Sequence, residues 1–311
     1  MKHLFIINPA AGSRTRTKEY SVAIHEICSA RNLDYRIEVS AAPGECTRLA
    51  REAAQTGEEV RIYACGGDGT LNEVAAGAAG YPNAAVTVFS GGSGNDFVKI
   101  FTQTEPFRDI NALLDEPVTE DFDLIRCGKD LAVNVCSVGF DARIGTDVAK
   151  YKKLPFVKGF GAYALSALVN TVKRVKEHYI VTVNGEVIDG SETLILAANG
   201  RYYGGGFHPV PDADPQDGKL DVLLVKGVSR GKVLEVIGKY KDGRYADFPD
   251  LIRHLRADRL RIQCDDVTPV NLDGELRLRK NVDIEVAEEK LRFFHPACVS
   301  VSEEDCVKIG G

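Results

Sequence analysis

Three glycines bracket one aspartate in Gly66-Gly67-Asp68-Gly69-Thr70, and Leu71, Asn72 and Glu73 open a helix-like run directly behind them. Glycine lets a backbone approach a ligand closely, and consecutive amides at a helix start form a cradle for anions. An aspartate beside a bare phosphate is repelled, so Asp68 makes chemical sense when it holds a Mg²⁺ ion or water on that ion. The plain alternative is a tight strand-to-helix turn with Asp68 or Thr70 as its cap. The sequence repeats the pattern in "GGSGNDF", residues 91–97, which carries Ser93 and Asp96. A third polar loop, "NPAAGS", carries Asn8, Pro9, Ala10, Ala11 and Gly12; Asn8 suits a base or ribose.

Two later stretches carry carboxylates. "PDADPQDGKLDV", residues 211–222, has Asp212, Asp214, Asp217 and Asp221 within eleven residues, a set that suits either a divalent cation or a polar loop leading into a strand. "NLDGEL", residues 271–276, sets Asp273 and Glu275 on either side of a glycine, which is also ordinary hairpin-turn composition. Alternation along an extended chain points these two carboxylates to opposite faces, so they do not face one ligand together.

The elements that must position these residues follow from periodicity. Up to about residue 124 the apolar runs "HLFII", "YRIEV", "VRIYAC" and "AAVTVF" alternate with helix-like segments. That order predicts a mostly parallel sheet with helices on both faces, and ligands on such sheets sit at the carboxyl ends of strands. The three glycine-bearing loops fall at those ends. From about residue 125 the chain turns strand-rich, with a hairpin at Asn184-Gly185 and two helix-like stretches, at 159–176 and 231–243. The expected domains are therefore 1–124, an α/β nucleotide-binding domain, and 125–290, an antiparallel β-domain. A final segment, about 291–311, is free to return to the first.

Composition narrows the function classes. The chain has 311 residues, 44% hydrophobic and 27% charged, with a formal charge of −6. No broad basic footprint favours nucleic acid. The eight cysteines form no C-x-x-C pair, and no secretory leader precedes the first strand, so reduced thiols in a cytoplasmic protein are expected. No apolar run reaches the roughly 18 residues of a membrane span. There is no G-x-x-x-x-G-K-[ST] phosphate loop, and the G-x-G-x-x-A match at 159–164 lacks the surrounding βαβ unit. The stretch 150–160 mixes four lysines with Phe156 and Phe160, a composition suited to an anionic membrane surface.

Taken together, "NPAAG" at 8–12, Ser40 with Gly44, "GGDGTLNE" at 66–73, "GSGNDF" at 92–97, "DADPQDG" at 212–218 and "LDGE" at 272–275 resemble the diacylglycerol kinase catalytic family, in its soluble bacterial lipid kinase branch. The first glycine motif is shared with NAD kinases and phosphofructokinases; the later motifs are more specific. Ser93 replaces a usual Thr, Gln216 a frequent acid, and Lys219 a usual aromatic. The resemblance implies an α/β domain of the NAD kinase/phosphofructokinase kind followed by a β-sandwich, with the active site in the cleft between them. It implies ATP held by Asn8, Pro9, Ala10, Ala11, Gly12, Ser40, Gly67, Asp68, Gly69, Thr70, Leu71, Asn72, Glu73 and Ser93. It implies a catalytic Mg²⁺ network at Asp68, Asp96 and Asp123. A structural Mg²⁺ would sit at Asp214, Asp217 and the backbone of Lys219. Glu275 would be the proton acceptor, with Asp273 beside it. The resemblance also implies a lipid partner at a membrane surface, with ATP and Mg²⁺ as cofactors; a homodimer is compatible with the sequence, which does not fix the oligomeric state.

Overall fold

The computed structural model describes residues 1–11, 14–90, 95–140, 142 and 176–302. Gly12, Ser93, the 150–160 stretch, the 159–164 match and nearly all of the helix-like stretch at 159–176 lie outside the described residues. The chain divides into two compact units: residues 1–123 with 288–302, and residues 124–287.

In the first unit a six-stranded sheet runs in the order β2 (Tyr35–Val39), β1 (Lys2–Ile7), β3 (Val60–Gly66), β4 (Ala84–Ser90), β15 (Leu291–His295), β5 (Val118–Phe122). The neighbours from β2 to β15 pair in parallel, and β5 alone runs antiparallel. β3 and β4 are buried almost throughout, as expected for strands covered on both faces. The helices are α1 (Arg14–Ala30), α2 (Glu45–Gln55), α3 (Asp68–Ala78) and the short α4 (Ile110–Leu114), whose cap Asp109 accepts the Asn111 amide. β15 holds its place through Phe293 and Phe294, both fully buried. The Phe293 ring lies 5.1 Å from that of Phe97 and 5.8 Å from that of Phe122, edge to face in both cases.

The second unit is antiparallel. β6 (Ile125–Cys127) and β7 (Asp130–Ala132) form a hairpin beside β14 (Glu275–Val286). β8 (Val135–Gly139), β9 (Glu177–Val183), β10 (Glu186–Ala198) and β13 (Arg259–Leu272) close a ring. In it β10 and β13 each pair with β9 over one half and with β8 over the other. β9 and β10 are joined at Asn184-Gly185, both with positive φ, the turn type read from the sequence. β11 (Leu220–Lys226) and β12 (Ile252–Ala257) extend the sheet beyond β10. Among the described residues a fifth helix, α5 (Arg230–Lys241), is capped by Ser229, whose hydroxyl accepts the Lys232 amide at 3.4 Å.

Candidate active site

In the first unit β1, β3 and β4 run parallel and adjacent, so their carboxyl ends open on one edge. Direct bonds join the loops there. Asn8 donates its backbone amide to the Cys65 carbonyl at 3.1 Å and its side-chain amide to the Thr70 hydroxyl at 3.1 Å. Its own side-chain oxygen accepts the Ala10 amide at 3.0 Å, fixing the turn of Pro9–Ala11. Asp68, the first residue of α3, accepts the Asp96 amide at 2.5 Å, which ties the loop after β3 to the loop after β4. A Cβ added at Gly66 would lie 2.3 Å from the Thr70 hydroxyl, whereas at Gly69 it would meet nothing within 4 Å. The first position is therefore closed by its own loop, and the second faces open space over the start of α3.

Other predicted residues have structural partners. Glu73 accepts the amides of Gly44 and Cys46 at 3.0 and 3.2 Å, so its carboxylate caps the start of α2. Gly44 is the N-cap itself, at φ 82°, which accounts for glycine four residues after Ser40. Ser40 is buried; its amide bonds the Ile7 carbonyl and its hydroxyl meets the Cys46 thiol, which burial pushes up to about 11. That thiol is no nucleophile at neutral pH. Leu71 is a core side chain. Asn72 is 8% exposed, and its Oδ1 has no hydrogen-bond partner among the described residues.

Of the three carboxylates assigned to a catalytic Mg²⁺ network, Asp68 and Asp96 adjoin, and Asp123 lies apart. Asp96 is ion-paired with Lys99, and the fully buried Asp123 with Lys290. Asp123 follows the end of β5, beside the start of β15, and β15 runs parallel to β4. It thus lies at the sheet edge opposite the glycine loops, roughly 20 Å away by strand rise. Long-range pairing of β5 with a strand about 170 residues later decides this position, and the local sequence carries no sign of it.

In the second unit Asp273-Gly274 is the two-residue turn between β13 and β14, with φ 48° and 93°. Positive φ at both positions is the requirement that selects Asp-Gly in such hairpins. Both oxygens of Asp273 accept backbone amides, from Val133 (2.5 Å), Asn134 (3.0 and 3.1 Å) and Val135 (2.8 Å). Glu275 remains at the surface, with 56% side-chain exposure and Arg277 at 3.6 Å.

The acidic loop also has partners. Asp214 accepts the Gln216 amide at 3.0 Å; Asp217 accepts the Lys219 amide at 2.8 Å and is ion-paired with Arg256. Among the described residues, no three or more His, Cys, Asp or Glu side chains come together as a metal set.

An apolar cavity of about 60 Å³ was not read from the sequence. It lies in the second unit and is lined by Phe140, Leu194, Tyr203, Phe207, Val236 and Tyr240 among others. The Tyr203 and Tyr240 hydroxyls bond each other at 3.2 Å, and the Thr193 hydroxyl accepts the Val228 amide at 3.1 Å. Its polar atoms are thus turned to protein partners. The signal available in the sequence was the stripe Val233, Val236 and Tyr240 on α5.

The comparisons with known proteins cover nearly the whole chain. Residues 2–127 match the diacylglycerol kinase catalytic domain model, and residues 134–295 match the model of the YegS C-terminal NAD kinase beta sandwich-like domain. A protein of Staphylococcus carnosus (strain TM300), provisionally named a lipid kinase, is 24% identical over 267 residues, 84% of this chain and 86% of its own. A relative of Staphylococcus haemolyticus (strain JCSC1435), named in the same way, is 26% identical over 80% of each chain. A crystal structure of a provisionally named diacylglycerol kinase from Bacillus anthracis str. Sterne covers 94% of this chain and 97% of its own, at TM-score 0.74 and 23% identity. That likeness shows the fold. Among the described residues, no helix is long and apolar enough to cross a membrane.

Proposed function

The chain belongs to the diacylglycerol kinase catalytic family, and on that premise we propose that it is an ATP- and Mg²⁺-dependent lipid kinase. It transfers the γ-phosphoryl group to the free hydroxyl of diacylglycerol and yields phosphatidic acid. The observation that carries the lipid reading is the apolar cavity of the second unit. A soluble metabolite gains nothing from such a lining, whereas each acyl methylene buried there contributes about 0.8 kcal/mol.

The joined loops of the first unit support nucleotide binding. The amides at the start of α3 and the open face over Gly69 suit phosphate oxygens, and the orphaned Asn72 Oδ1 suits a hydroxyl or amino donor of the nucleotide. For Mg²⁺ the donor chemistry fits at Asp68, a hard oxygen ligand at a helix start; Asp96 and Asp123 already balance lysines. A bound Mg²⁺ offsets charge on the phosphoryl group as it transfers. Glu275 accepts the hydroxyl proton late, once the bond to phosphorus is forming and the hydroxyl has become acidic. Asp273 holds the turn that carries Glu275.

The test is turnover with ATP and Mg²⁺ on a lipid panel in mixed micelles, comparing the parent with Val236→Phe. The expected result is turnover of diacylglycerol, with KM for the lipid raised by the variant and KM for ATP unchanged. Preference for a sphingoid base or phosphatidylglycerol would reassign the substrate within the same reaction. No turnover with intact ATP binding would make the chain a nucleotide sensor and overturn the proposal.

A further inference from the structure

Two carboxylates of the acidic stretch, Asp217 and Asp221, are held by side chains of β12. Asp221 is 2% exposed and sits directly across from Arg256 in the antiparallel pair of β11 and β12. The Arg256 guanidinium is ion-paired with Asp217, and its Nε lies 3.9 Å from Asp221 Oδ1. His254, two residues back on β12, sets Nε2 at 2.7 Å from the same Asp221 oxygen, and its Nδ1 faces the Tyr245 hydroxyl at 3.2 Å. Asp217 is engaged through both oxygens, one by the Lys219 amide and one by Arg256. Asp214 caps a local turn through the Gln216 amide. Lys219 reaches Asp258 at 3.7 Å. A divalent ion needs several carboxylate or carbonyl oxygens converging on one point. Here the oxygens that would converge are directed at a guanidinium, an imidazole and backbone amides.

We propose that Arg256, with His254, takes the place of a structural divalent cation in this chain, so that the second unit is held by a cross-strand ion-pair cluster and needs no Mg²⁺ of its own. A guanidinium is suited to the role because its planar fork meets two carboxylates at once and stays charged at any physiological pH. Gln216, between Asp214 and Asp217, is neutral and adds no carboxylate to the loop.

The experiment uses the full chain, stripped of divalent ions and free of nucleotide. The unfolding midpoint is measured with EDTA and with millimolar Mg²⁺. Binding of Mn²⁺, counted by the loss of its free paramagnetic signal, is compared among the parent, Asp217→Asn and Asp68→Asn. The expected results are a midpoint indifferent to Mg²⁺, Mn²⁺ binding unaltered by Asp217→Asn, and a midpoint lowered by at least about 3 °C in Arg256→Gln. A Mg²⁺-dependent rise of the parent midpoint that Asp217→Asn removes would overturn the proposal. So would a tight Mn²⁺ site lost in Asp217→Asn but kept in Asp68→Asn, or an Arg256→Gln midpoint equal to the parent's. Should Arg256→Gln fail to fold, the parent measurements decide alone. Any Mn²⁺ bound at the nucleotide loops is identified by its loss in Asp68→Asn, which keeps this question separate from the kinase reading.

Discussion

Asp68 and Asp273 share a local sequence, an aspartate followed by glycine at the end of a strand, and the two units use them differently. Asp68 sits at the mouth of a helix, accepts the Asp96 amide from a neighbouring loop, and adjoins the open space over Gly69. Asp273 is enclosed by three consecutive amides that engage both of its oxygens. A carboxylate inside a recognisable motif can thus be there for its ligand or for its own turn, and where it sits in the fold tells the two apart where the motif does not.

The largest expected effect breaks or upholds this contrast at the first unit. Asp68→Asn should lower turnover by about 10²-fold or more, the range for loss of a group acting on the transition state, while the unfolding midpoint moves little. Near-normal turnover in the folded variant would reduce Asp68 to a cap. At the second unit the pattern is reversed for its aspartate. Asp273→Asn should cost about 3 kcal/mol of stability, since an amide group cannot accept through both ends and charge-assisted bonds contribute about 1.5–3 kcal/mol each. Glu275→Gln should leave stability intact and lower turnover roughly 10²-fold. A stable but inactive Asp273→Asn, with an active Glu275→Gln, would exchange the two roles.

The units also differ in their response to pH. Burial, helped by Arg61, holds the His3 imidazole down at about 4, where it bonds the Tyr63 hydroxyl at 2.9 Å. The unfolded chain binds that proton already near 6.5, so stability present above 6.5 falls as pH drops toward 4. Between pH 7 and 5 the parent should lose about 2 kcal/mol more than His3→Gln in urea titrations. In the second unit, burial raises the Glu192 carboxyl, partly offset by Lys226. Its folded form binds the proton more tightly, so its contribution is present at low pH and is lost as pH rises through that raised range. Glu192→Gln should therefore be stabilised relative to the parent at pH 7. The smallest effect tests the capping of α2: Gly44→Ala meets no atom within 4 Å, so its cost should be backbone strain alone, about 1 kcal/mol. A larger loss would mean that the Glu73 contact to the Gly44 amide had also broken.

The alternation of apolar runs and glycine loops made the parallel sheet and its loop-bearing edge legible, because each strand–loop–helix step is local. The β-rich character of the second unit and its Asn184-Gly185 hairpin were legible for the same reason. The partners of the carboxylates were not. Glu73 finds amides at positions 44 and 46, Asp273 at 133 to 135, and Asp217 a guanidinium at 256. No spacing rule connects such positions; β-pairing across the fold does. Asp123 shows the same limit, because its place follows from β5 joining β15 rather than from anything near residue 123.

That return of β15 to the first sheet has a consequence for biosynthesis. β5 reaches the rest of its sheet only through β15, which leaves the ribosome roughly 170 residues later. At about 5–20 residues per second the interval is roughly 10 to 30 s. Throughout it β4, a strand of seven buried residues, presents an unpaired edge. The first unit therefore cannot finish folding in the order in which it is made, and its nascent form exposes the kind of apolar strand edge that chaperones shield.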